Sequence, residues 1–316
     1  MSNLHFHAPC FDGIASAVVA LDYLEGPGGW SAATLWPQGN DARVRWLETH
    51  LPPKSAVVDF PYHPDAEFWA DHHQTAFLAP SAEAHFRRRE GASFAYDAKA
   101  DSCAGVLWRH FEATYGHRTP ALAELVRWAE KIDAARYDSV DEALHSTAPA
   151  VVIAASLGYE ADDAYVISLV RALRTDSLDA VAAQEDVRHR FARVRELQVE
   201  GLDRMRASAR LYDGIVVFDV DATGVEVNRY SPYESFATAD YSIGIVRDGR
   251  SIKITAMRNP WKEFESVPLG LIFRRHGGGG HQRVASLYLP TAEAARAPEL
   301  LRTIVGELRS TSARGE

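Results

Sequence analysis

Acidic residues and histidines recur at four places in the first 133 residues of this 316-residue chain. They are His7, Cys10 and Asp12, then Asp59, then the triplet Asp71-His72-His73, and finally Asp133. Carboxylates and imidazoles together are typical ligands of Mn²⁺ and similar divalent ions. Several carboxylates in one crevice repel each other unless cations neutralise them. Two ions bridged by a carboxylate can hold a phosphate and activate a shared water, so these residue types point to phosphate-ester hydrolysis.

Each of these residues alone also has a structural explanation. Asp12 precedes Gly13 and would serve as a turn residue or a helix cap, which is the commoner role of such an Asp. Asp133 would simply end a helix. Asp59 is harder to explain in this way, because a carboxylate buried without a partner after Ala56-Val57-Val58 costs several kcal/mol. Taken together, the set favours a functional site.

The first 150 residues alternate between short apolar segments and helical patterns, which is typical of a parallel α/β sheet. We expect strands at Leu4–His7, Ala33–Trp36, Ser55–Phe60 and Phe68–Ala70. We expect helices at Ile14–Leu24, Asp41–Leu51, Asp101–Tyr115 and Pro120–Ile132. The carboxyl ends of parallel strands face a common crevice, so three of the four polar groups would meet there.

The second half of the chain predicts a connector and a second α/β domain. Apolar residues recur at helical spacing from Leu178 to Ser208, which predicts one helix of about 45 Å at ~1.5 Å per residue. Strands are expected at Gly214–Asp219, Tyr241–Val246, Ser251–Met257 and Ala285–Leu289, with a closing helix at Ala292–Leu308. The sequence therefore predicts two α/β domains joined by a long helix.

Composition excludes several classes of protein. With 47% hydrophobic and 24% charged residues, the chain is neither disordered nor fibrous. Its net charge of −9 is a poor match for duplex DNA but allows a small phosphorylated ligand in a local basic pocket. Cys10 and Cys103 cannot form a disulfide framework, and no apolar segment approaches the roughly 18–20 residues of a membrane span. Because residues 1–13 also lack signal-peptide features, we expect a cytoplasmic protein.

The motifs resemble those of a known superfamily. His7-x-x-Cys10-x-Asp12-Gly13, Asp59 after an apolar strand, Asp71-His72-His73 and Asp133 resemble the four motifs of the DHH phosphoesterases. The run Gly277-Gly278-Gly279-Gly280-His281 resembles the glycine-rich motif of the associated DHHA1 domain. Order and spacing agree over nearly the whole chain, and the Asp-Gly pair of the first motif is similar to the oligoribonuclease and cyclic-nucleotide phosphodiesterase branch.

The resemblance implies a domain layout and a role for each motif residue. Residues 1–180 would form the metal-binding catalytic DHH domain, 181–210 the connector helix, and 211–316 the substrate-binding DHHA1 domain. His7 would bind a first metal, Asp59 would bridge two metals, and Asp12, His72 and Asp133 would complete the second site. Asp71 would orient His72, and His73 would face the substrate phosphate, which makes Asp71 and His73 the catalytic pair.

Three ligand assignments stay open from the sequence. His5 lies on the same side of its strand as His7 and competes for the ligand role, and Asp138 competes more weakly with Asp133. Where the common first motif has Asp-x-Asp, this chain has Cys10-Phe11-Asp12. A Cys10 thiolate would bind a metal, with a preference for zinc or iron over magnesium. The alternative is that Cys10 packs as a small apolar residue.

The glycine-rich segment near the carboxyl terminus is the strongest concentration of basic residues in this acidic chain. Glycines allow the backbone to approach an anion closely, and flanking arginines offer fork-shaped donors to phosphate. The alternative is a flexible surface turn. We assign substrate binding to Arg258, Gly278, Gly279, Gly280 and His281, with Arg258 at the end of a predicted strand.

These features predict a phosphodiesterase that depends on one or two divalent ions, most simply Mn²⁺. The expected substrate is a short oligoribonucleotide or a cyclic nucleotide, and neither duplex DNA nor a membrane is an expected partner. A phosphatase for a small nucleotide such as 3′-phosphoadenosine phosphate is the alternative enzyme. A nucleotide-binding protein without turnover is the alternative of another class, and a homodimer stays open.

Overall fold

The computed structural model describes residues 1–89, 91–249, 251–280 and 282–312. The strands are β1 Ser2–His7, β2 Ala33–Gln38, β3 Ser55–Val58, β4 Phe68–Asp71, β5 Phe94–Tyr96, β6 Arg210–Tyr212, β7 Ile215–Asp221, β8 Tyr241–Arg247, β9 Ser251–Arg258, β10 Gly279–Gly280 and β11 Val284–Pro290. The α-helices are α1 Phe11–Leu24, α2 Pro80–Arg89, α3 Cys103–Tyr115, α4 Ala123–Asp133, α5 Val140–His145, α6 Pro149–Ser156, α7 Asp163–Leu173, α8 Leu178–Ala182, α9 Glu185–Ser208, α10 Ser231–Ser235, α11 Leu269–Arg274 and α12 Ala297–Ser312. Among these described helices, none is both long enough and apolar enough to cross a membrane.

The chain divides into two compact units, each with its own sheet. The first unit comprises Met1–Arg136 and Thr147–Phe191, and the second comprises Tyr137–Ser146 and Ala192–Glu316. The boundary on the carboxyl side therefore falls inside α9, whereas the sequence predicts boundaries at residues 180 and 210. The roles expected for the two domains stay predictions.

The first unit contains a parallel sheet with strand order β2-β1-β3-β4-β5. Strands β3 and β4 are buried throughout, which is why their sequences are largely apolar. Strand β1 is buried except at its last residue, although polar residues flank Leu4 and Phe6 in it. The chain goes from β1 outward to β2 and then returns to the other side of β1 at β3. This reversal opens a crevice at the carboxyl ends of β1 and β3, the usual place for a ligand site in such a sheet.

Both faces of this sheet are covered. On one face α1 is buried along almost its whole length and packs beside α3, α4 and α7. On the other face lies a largely aromatic cluster that includes Trp46, Phe60, Tyr62, Trp69 and Phe86. Alternate residues of each strand point to opposite faces and join one core or the other. The carboxyl edge is thus the natural position for polar side chains.

The second unit contains a mixed sheet with strand order β10-β11-β9-β8-β7-β6. Among the described strands of this second sheet, only β7 and β8 pair in parallel, and the remaining pairs are antiparallel. Residues such as Ile243, Ile254 and Leu287 pack with Ile304 and Leu308 of α12 in its core. The predicted fold class, two α/β domains of which the first has a parallel sheet, is confirmed.

The single helix predicted from Leu178 to Ser208 is wrong at one point. The structure has the short helix α8 and then α9, with a turn at Ala183 and Gln184. The Ser177 side chain caps α8 by accepting a hydrogen bond from Ala180 N, and Gln184 N bonds to Val181 O in a tighter turn. The 24 residues of α9 span about 36 Å, which is shorter than predicted.

Three other predicted helices begin as 3₁₀ helices or remain so. Asn40–Glu48 is a 3₁₀ helix in which only Trp46 is buried, so there is no broad apolar face to stabilise an α-helix. Thr291–Arg296 is also 3₁₀, and α12 starts afresh at Ala297. Pro298 suits the first turn of that helix because it has no N–H to satisfy. In the same way, Pro120–Leu122 is a 3₁₀ turn before α4.

Candidate metal centre

His7 and Asp59 lie at the reversal point of the parallel sheet. His7 is the last residue of β1, and Asp59 directly follows β3. The sequence predicts a strand through Phe60, but the strand ends at Val58 because Asp59 has a φ of 54°. Positive φ is uncommon for a residue other than glycine, and Asp tolerates it better than most. This turn sets the Asp59 carboxylate at the edge of the sheet.

The Asp59 carboxylate is buried without hydrogen bonds from the rest of the described chain, which is rare for a charged group in a folded protein. Neither of its oxygens, nor His7 Nδ1, has a hydrogen-bond partner among the described residues. His7 Nδ1 lies 3.4 Å from Asp59 Oδ2. Each buried polar atom without a partner destabilises a fold by about 1–3 kcal/mol. A divalent cation fits this donor set, because it would satisfy the carboxylate and the imidazole together.

Asp12 lies in the first turn of α1, yet it caps a different helix. Its Oδ2 accepts a hydrogen bond from Cys103 N at 2.7 Å and its Oδ1 accepts one from Ala104 N at 3.0 Å. Asp12 therefore caps α3, more than ninety residues along the chain, as well as facing the site. Gly13 makes this arrangement possible, because a Cβ at that position would lie 2.0 Å from His7 O.

His72 points at three carboxylates. Its Nδ1 is 3.1 Å from Ala100 O, and since a carbonyl can only accept, Nδ1 carries the proton. Its Nε2 lies 3.4 Å from Asp133 Oδ2, 3.5 Å from Asp12 Oδ2 and 3.6 Å from Asp59 Oδ1. In neutral His72 this places a lone pair against three carboxylates. Either a second proton or a metal cation relieves that repulsion.

Asp71 hydrogen-bonds to the His73 ring and to the backbone of His72, whereas the motif resemblance implies that it orients His72. Its Oδ1 is 2.7 Å from His73 Nδ1 and accepts hydrogen bonds from the backbone N–H groups of His72 and His73. The His72 ring is held by Ala100 instead. Burial raises the pKa of Asp71, but the interactions with His73 and His72 outweigh it and the net pKa is lowered. Asp71 is thus held as an anion beside His73.

The structure brings all six predicted ligands together, in overlapping groups whose donor atoms lie within 4.8 Å of one another. The groups found in the described part of the chain are His7–Cys10–Asp59, Asp59–His72–His73 and Asp12–His72–Asp133. Asp59 and His72 each belong to two groups and so connect them. The presence of His73 in one group was not predicted. Metal binding by these residues stays a prediction, since their positions alone do not test it.

The acids at this centre repel each other. Burial and the nearby Asp133 raise the pKa of Asp12, and burial together with Asp12 raises the pKa of Asp59 well above its ordinary value. Burial, followed by Asp133 and Asp12, raises the pKa of the Cys10 thiol to about 12. Cys10 is therefore a neutral thiol in the metal-free protein. Its ligation as a thiolate would need a cation to supply the missing positive charge.

Neither competing residue belongs to the ligand groups formed by the described residues. His5 is buried between Trp36 and Trp46, with its Nδ1 3.3 Å from Gln38 Nε2, and it belongs to none of the groups formed by the described residues. Burial lowers its pKa to about 4. Asp138 is exposed and belongs to the second compact unit. The geometry therefore places His7 and Asp133, and not these alternatives, at the centre.

In the second unit, the glycine run is explained in part by packing. A Cβ at Gly278 would lie 2.6 Å from Leu287 Cβ, and one at Gly280 would lie 2.3 Å from Val284 O. Gly280 also has a φ of 143°, and β10 pairs with β11 at this point. These glycines are needed for a close hairpin whether or not a ligand binds. His281, assigned to substrate binding from the sequence, lies outside the described residues.

Arg258 ends β9 as a buried cation. Its side chain is 9% exposed, donates to Asn259 O at 2.8 Å and Phe264 O at 3.2 Å, and stacks on the Phe264 ring at 4.4 Å. No carboxylate of the described residues pairs with it. Burial lowers its pKa, and so does the neighbouring Arg283. Its contact with substrate stays a prediction. Among the described residues no acid forms an ion pair with its guanidinium.

Comparison with known proteins identifies the fold. No protein-family model and no curated protein matches the chain. The chain is 18% identical to the structure of PggH from Vibrio cholerae, described as a pGpG-specific phosphodiesterase, with a TM-score of 0.67 over 97% of this chain and 99% of that one. The structure of RecJ with Mn²⁺ from Thermus thermophilus matches at 15% identity and a TM-score of 0.56, over 99% of this chain and 52% of RecJ. An exopolyphosphatase-related protein from Bacteroides fragilis matches at 12% identity and a TM-score of 0.52, over 98% of this chain and 93% of that one.

The chain shares its fold with these three structures. The match to PggH covers 97% of this chain and so extends over both compact units. The DHH resemblance drawn from the motifs is thereby confirmed at the level of the fold.

Proposed function

We propose that this chain is a metal-dependent phosphodiesterase acting on short oligoribonucleotides or cyclic nucleotides. The observation that carries the proposal is the buried Asp59 carboxylate, which has no hydrogen-bond partner among the described residues and lies beside two further acids and His72. Such a cluster needs added protons or a cation to offset the repulsion among its acids, and a divalent cation supplies the larger charge. The DHH fold supports the same interpretation, since PggH is described as a phosphodiesterase and RecJ is described in complex with Mn²⁺.

In this proposal His7, Cys10 and Asp59 would hold one ion and Asp12, His72 and Asp133 would hold a second, with Asp59 shared by both. Mn²⁺ is the expected metal, because the donors are mainly carboxylate and imidazole. A bound divalent ion would polarise a phosphoryl oxygen and lower the pKa of a bound water. Asp12 is prepared for this role by its hydrogen bonds to the start of α3, and His72 by its bond to Ala100. These bonds fix the ligand atoms before any ion arrives.

Asp71 and His73 form the catalytic pair of the proposal. The anionic Asp71 holds His73 through Nδ1 and so fixes the orientation of its ring. We assign His73 to the substrate phosphate, where it would stabilise negative charge that develops on the oxygens.

The second unit supplies nucleotide binding in this proposal. Arg258 is a buried guanidinium whose hydrogen bonds go to carbonyl groups and not to acids, so its positive charge is available to an anion. Gly278, Gly279, Gly280 and His281 complete the assigned set. A planar guanidinium offers paired donors that match a phosphate.

The direct test is hydrolysis by the Mn²⁺-loaded full-length chain. Three substrates separate the alternatives: bis(p-nitrophenyl) phosphate, p-nitrophenyl phosphate and a 5′-phosphorylated diribonucleotide. We expect turnover of the two diesters, its loss in Asp59→Asn, and no loss in Asp176→Asn, a control at an exposed position. Turnover of the monoester alone would favour the nucleotide phosphatase. Binding of a nucleotide without turnover of any substrate would favour the non-catalytic alternative.

A further inference from the structure

Arg43, in a segment outside the four motifs, contacts the loop that follows the Asp71-His72-His73 triplet. It lies on the 3₁₀ helix Asn40–Glu48 and is half-buried. Its Nη2 donates to Thr75 O at 3.2 Å and to Thr75 Oγ1 at 3.3 Å. Thr75 follows the Asp71-His72-His73 triplet by two residues. The guanidinium is therefore tied to the loop that carries the proposed catalytic pair.

The charged groups around Arg43 are those of the site. Burial lowers the pKa of its guanidinium, while Asp71 and Asp59 act in the opposite direction. Arg43 in turn acts to lower the pKa of His7. Yet within the described residues no carboxylate lies close enough to form an ion pair with Arg43, and its Nε and Nη1 donate no hydrogen bond. Arg43 is therefore coupled electrostatically to Asp71, Asp59 and His7, and it has donors that no described residue uses.

A second arginine on the same 3₁₀ helix provides the contrast. Arg45 has a side chain that is 81% exposed, and its Nε lies 3.1 Å from Glu48 Oε2 in an ordinary surface pair. The two arginines are only two residues apart. One is neutralised at the surface, and the other is anchored by Thr75 beside the site with donors to spare. This difference indicates a ligand for Arg43 that the chain itself does not provide.

We infer that Arg43 is a further catalytic residue, which donates hydrogen bonds to the non-bridging oxygens of the substrate phosphate at the metal centre. The inference rests on the proposed function. In hydrolysis a water oxygen bonds to phosphorus, the ester P–O bond breaks, and the protons of the water end on the product phosphate and the departing alcohol. Arg43 keeps its own protons throughout. Its fork of donors binds the oxygens most strongly when their negative charge is greatest.

The first test compares Arg43→Ala, Arg43→Lys and the matched control Arg45→Ala in hydrolysis of bis(p-nitrophenyl) phosphate with Mn²⁺. We expect Arg43→Ala to lower kcat/KM about a hundredfold, mainly through kcat, as for loss of one oxyanion donor. Arg43→Lys should recover only part of the loss, because an ammonium lacks the planar fork. Arg45→Ala should stay within about twofold of the wild type, since exposed pairs contribute little.

The second test measures binding without turnover. Inorganic phosphate is titrated into each Mn²⁺-loaded variant by calorimetry, and bound metal is measured by mass spectrometry. We expect at least about tenfold weaker phosphate binding in Arg43→Ala, and unchanged metal content. A tenfold change corresponds to the loss of one charged hydrogen bond. Arg43→Gln serves if the alanine variant does not fold, because it keeps an amide donor for Thr75.

Two results would overturn the assignment of Arg43. One is equal phosphate affinity and equal kcat/KM in the wild type and in Arg43→Ala. The other is a loss of activity that tracks a loss of bound metal, which would make Arg43 a support of the metal centre only. Failure of the wild type to hydrolyse any of the esters would count instead against the proposed function.

Discussion

The metal centre of the first unit and the glycine-rich hairpin of the second were both predicted from motifs, but the structure explains them differently. At the metal centre, Asp59 is buried without a hydrogen-bond partner among the described residues, and its neighbours are also acids. At the hairpin, Gly278 and Gly280 are required by the close approach of β11. A cluster that destabilises the fold points to a ligand, whereas residues that the fold itself needs do not.

The largest effect on activity is expected from substituting Asp59, which tests whether the metal centre differs from the hairpin in needing a ligand. Asp59→Asn keeps a side chain that tolerates positive φ but removes the charge. We expect hydrolysis to fall by about a thousandfold, because the residue shared between the two proposed sites is lost. The metal-free melting temperature should stay the same or rise, since a buried uncompensated charge is removed.

Activity assays and thermal melts in a chelator check both parts of this prediction. A structural role for Asp59 gives the reverse pattern, with near-normal turnover and a lower melting temperature. Asp176→Asn is the control for both measurements, because its carboxylate is exposed.

At the hairpin we expect a smaller effect, and on stability rather than on activity. Gly280→Ala should destabilise the protein by about 1–3 kcal/mol, because the new Cβ would clash with Val284 O at a φ of 143°. Gly306 in α12 is the matched control, since a Cβ there meets nothing within 4 Å. Gly306→Ala should stabilise by about 0.5–1 kcal/mol as an exposed helical position.

Urea unfolding of both glycine variants measures these free energies. If the hairpin also binds the nucleotide, Gly280→Ala should raise KM while metal content stays unchanged. Equal stability of Gly280→Ala and the wild type would show that the hairpin is loose enough to accept a side chain, and the packing explanation would fail.

The smallest effect, a change in metal preference and occupancy, is expected from substituting Cys10. In the metal-free protein the pKa of this thiol is about 12, so Cys10 contributes no negative charge before a metal binds. Cys10→Asp would add a hard oxygen ligand and should shift preference toward Mn²⁺ or Mg²⁺ over Zn²⁺. Cys10→Ala should lower occupancy of the first site without unfolding the chain.

Metal titrations monitored by calorimetry test whether Cys10 is a metal ligand. If all three proteins, the wild type, Cys10→Asp and Cys10→Ala, have the same metal content and preference, then Cys10 is a packing residue. Protection of the thiol from modifying reagents by Mn²⁺ provides an independent measurement on the wild type.

The sequence predicted the two α/β units and the polar residues at strand ends because both follow from local patterns. Apolar strands in a parallel sheet are continuous, and their carboxyl ends meet at one edge. The choice of His7 over His5 could not be made from the sequence, because both lie on the same side of β1. It depends on Trp36 and Trp46, which enclose His5.

The site features that the sequence did not predict depend on contacts between residues far apart in the chain. Ala100 orients His72 from 28 residues away, and the N–H groups of Cys103 and Ala104 bind Asp12 across 91 and 92 residues. No local pattern marks such backbone partners. Arg43 was missed for the same reason, since its contact with Thr75 spans 32 residues.

Anomalous diffraction from crystals soaked in Mn²⁺ tests the central claim, that this cluster is a metal centre, most directly. We predict a strong anomalous peak within bonding distance of Asp59 and His72, flanked by Asp12 and Asp133, and its loss in Asp59→Asn. A second peak beside His7 and Cys10 would establish the paired arrangement. An absence of anomalous density at this cluster under saturating Mn²⁺, with the four side chains in their metal-free positions, would contradict the account.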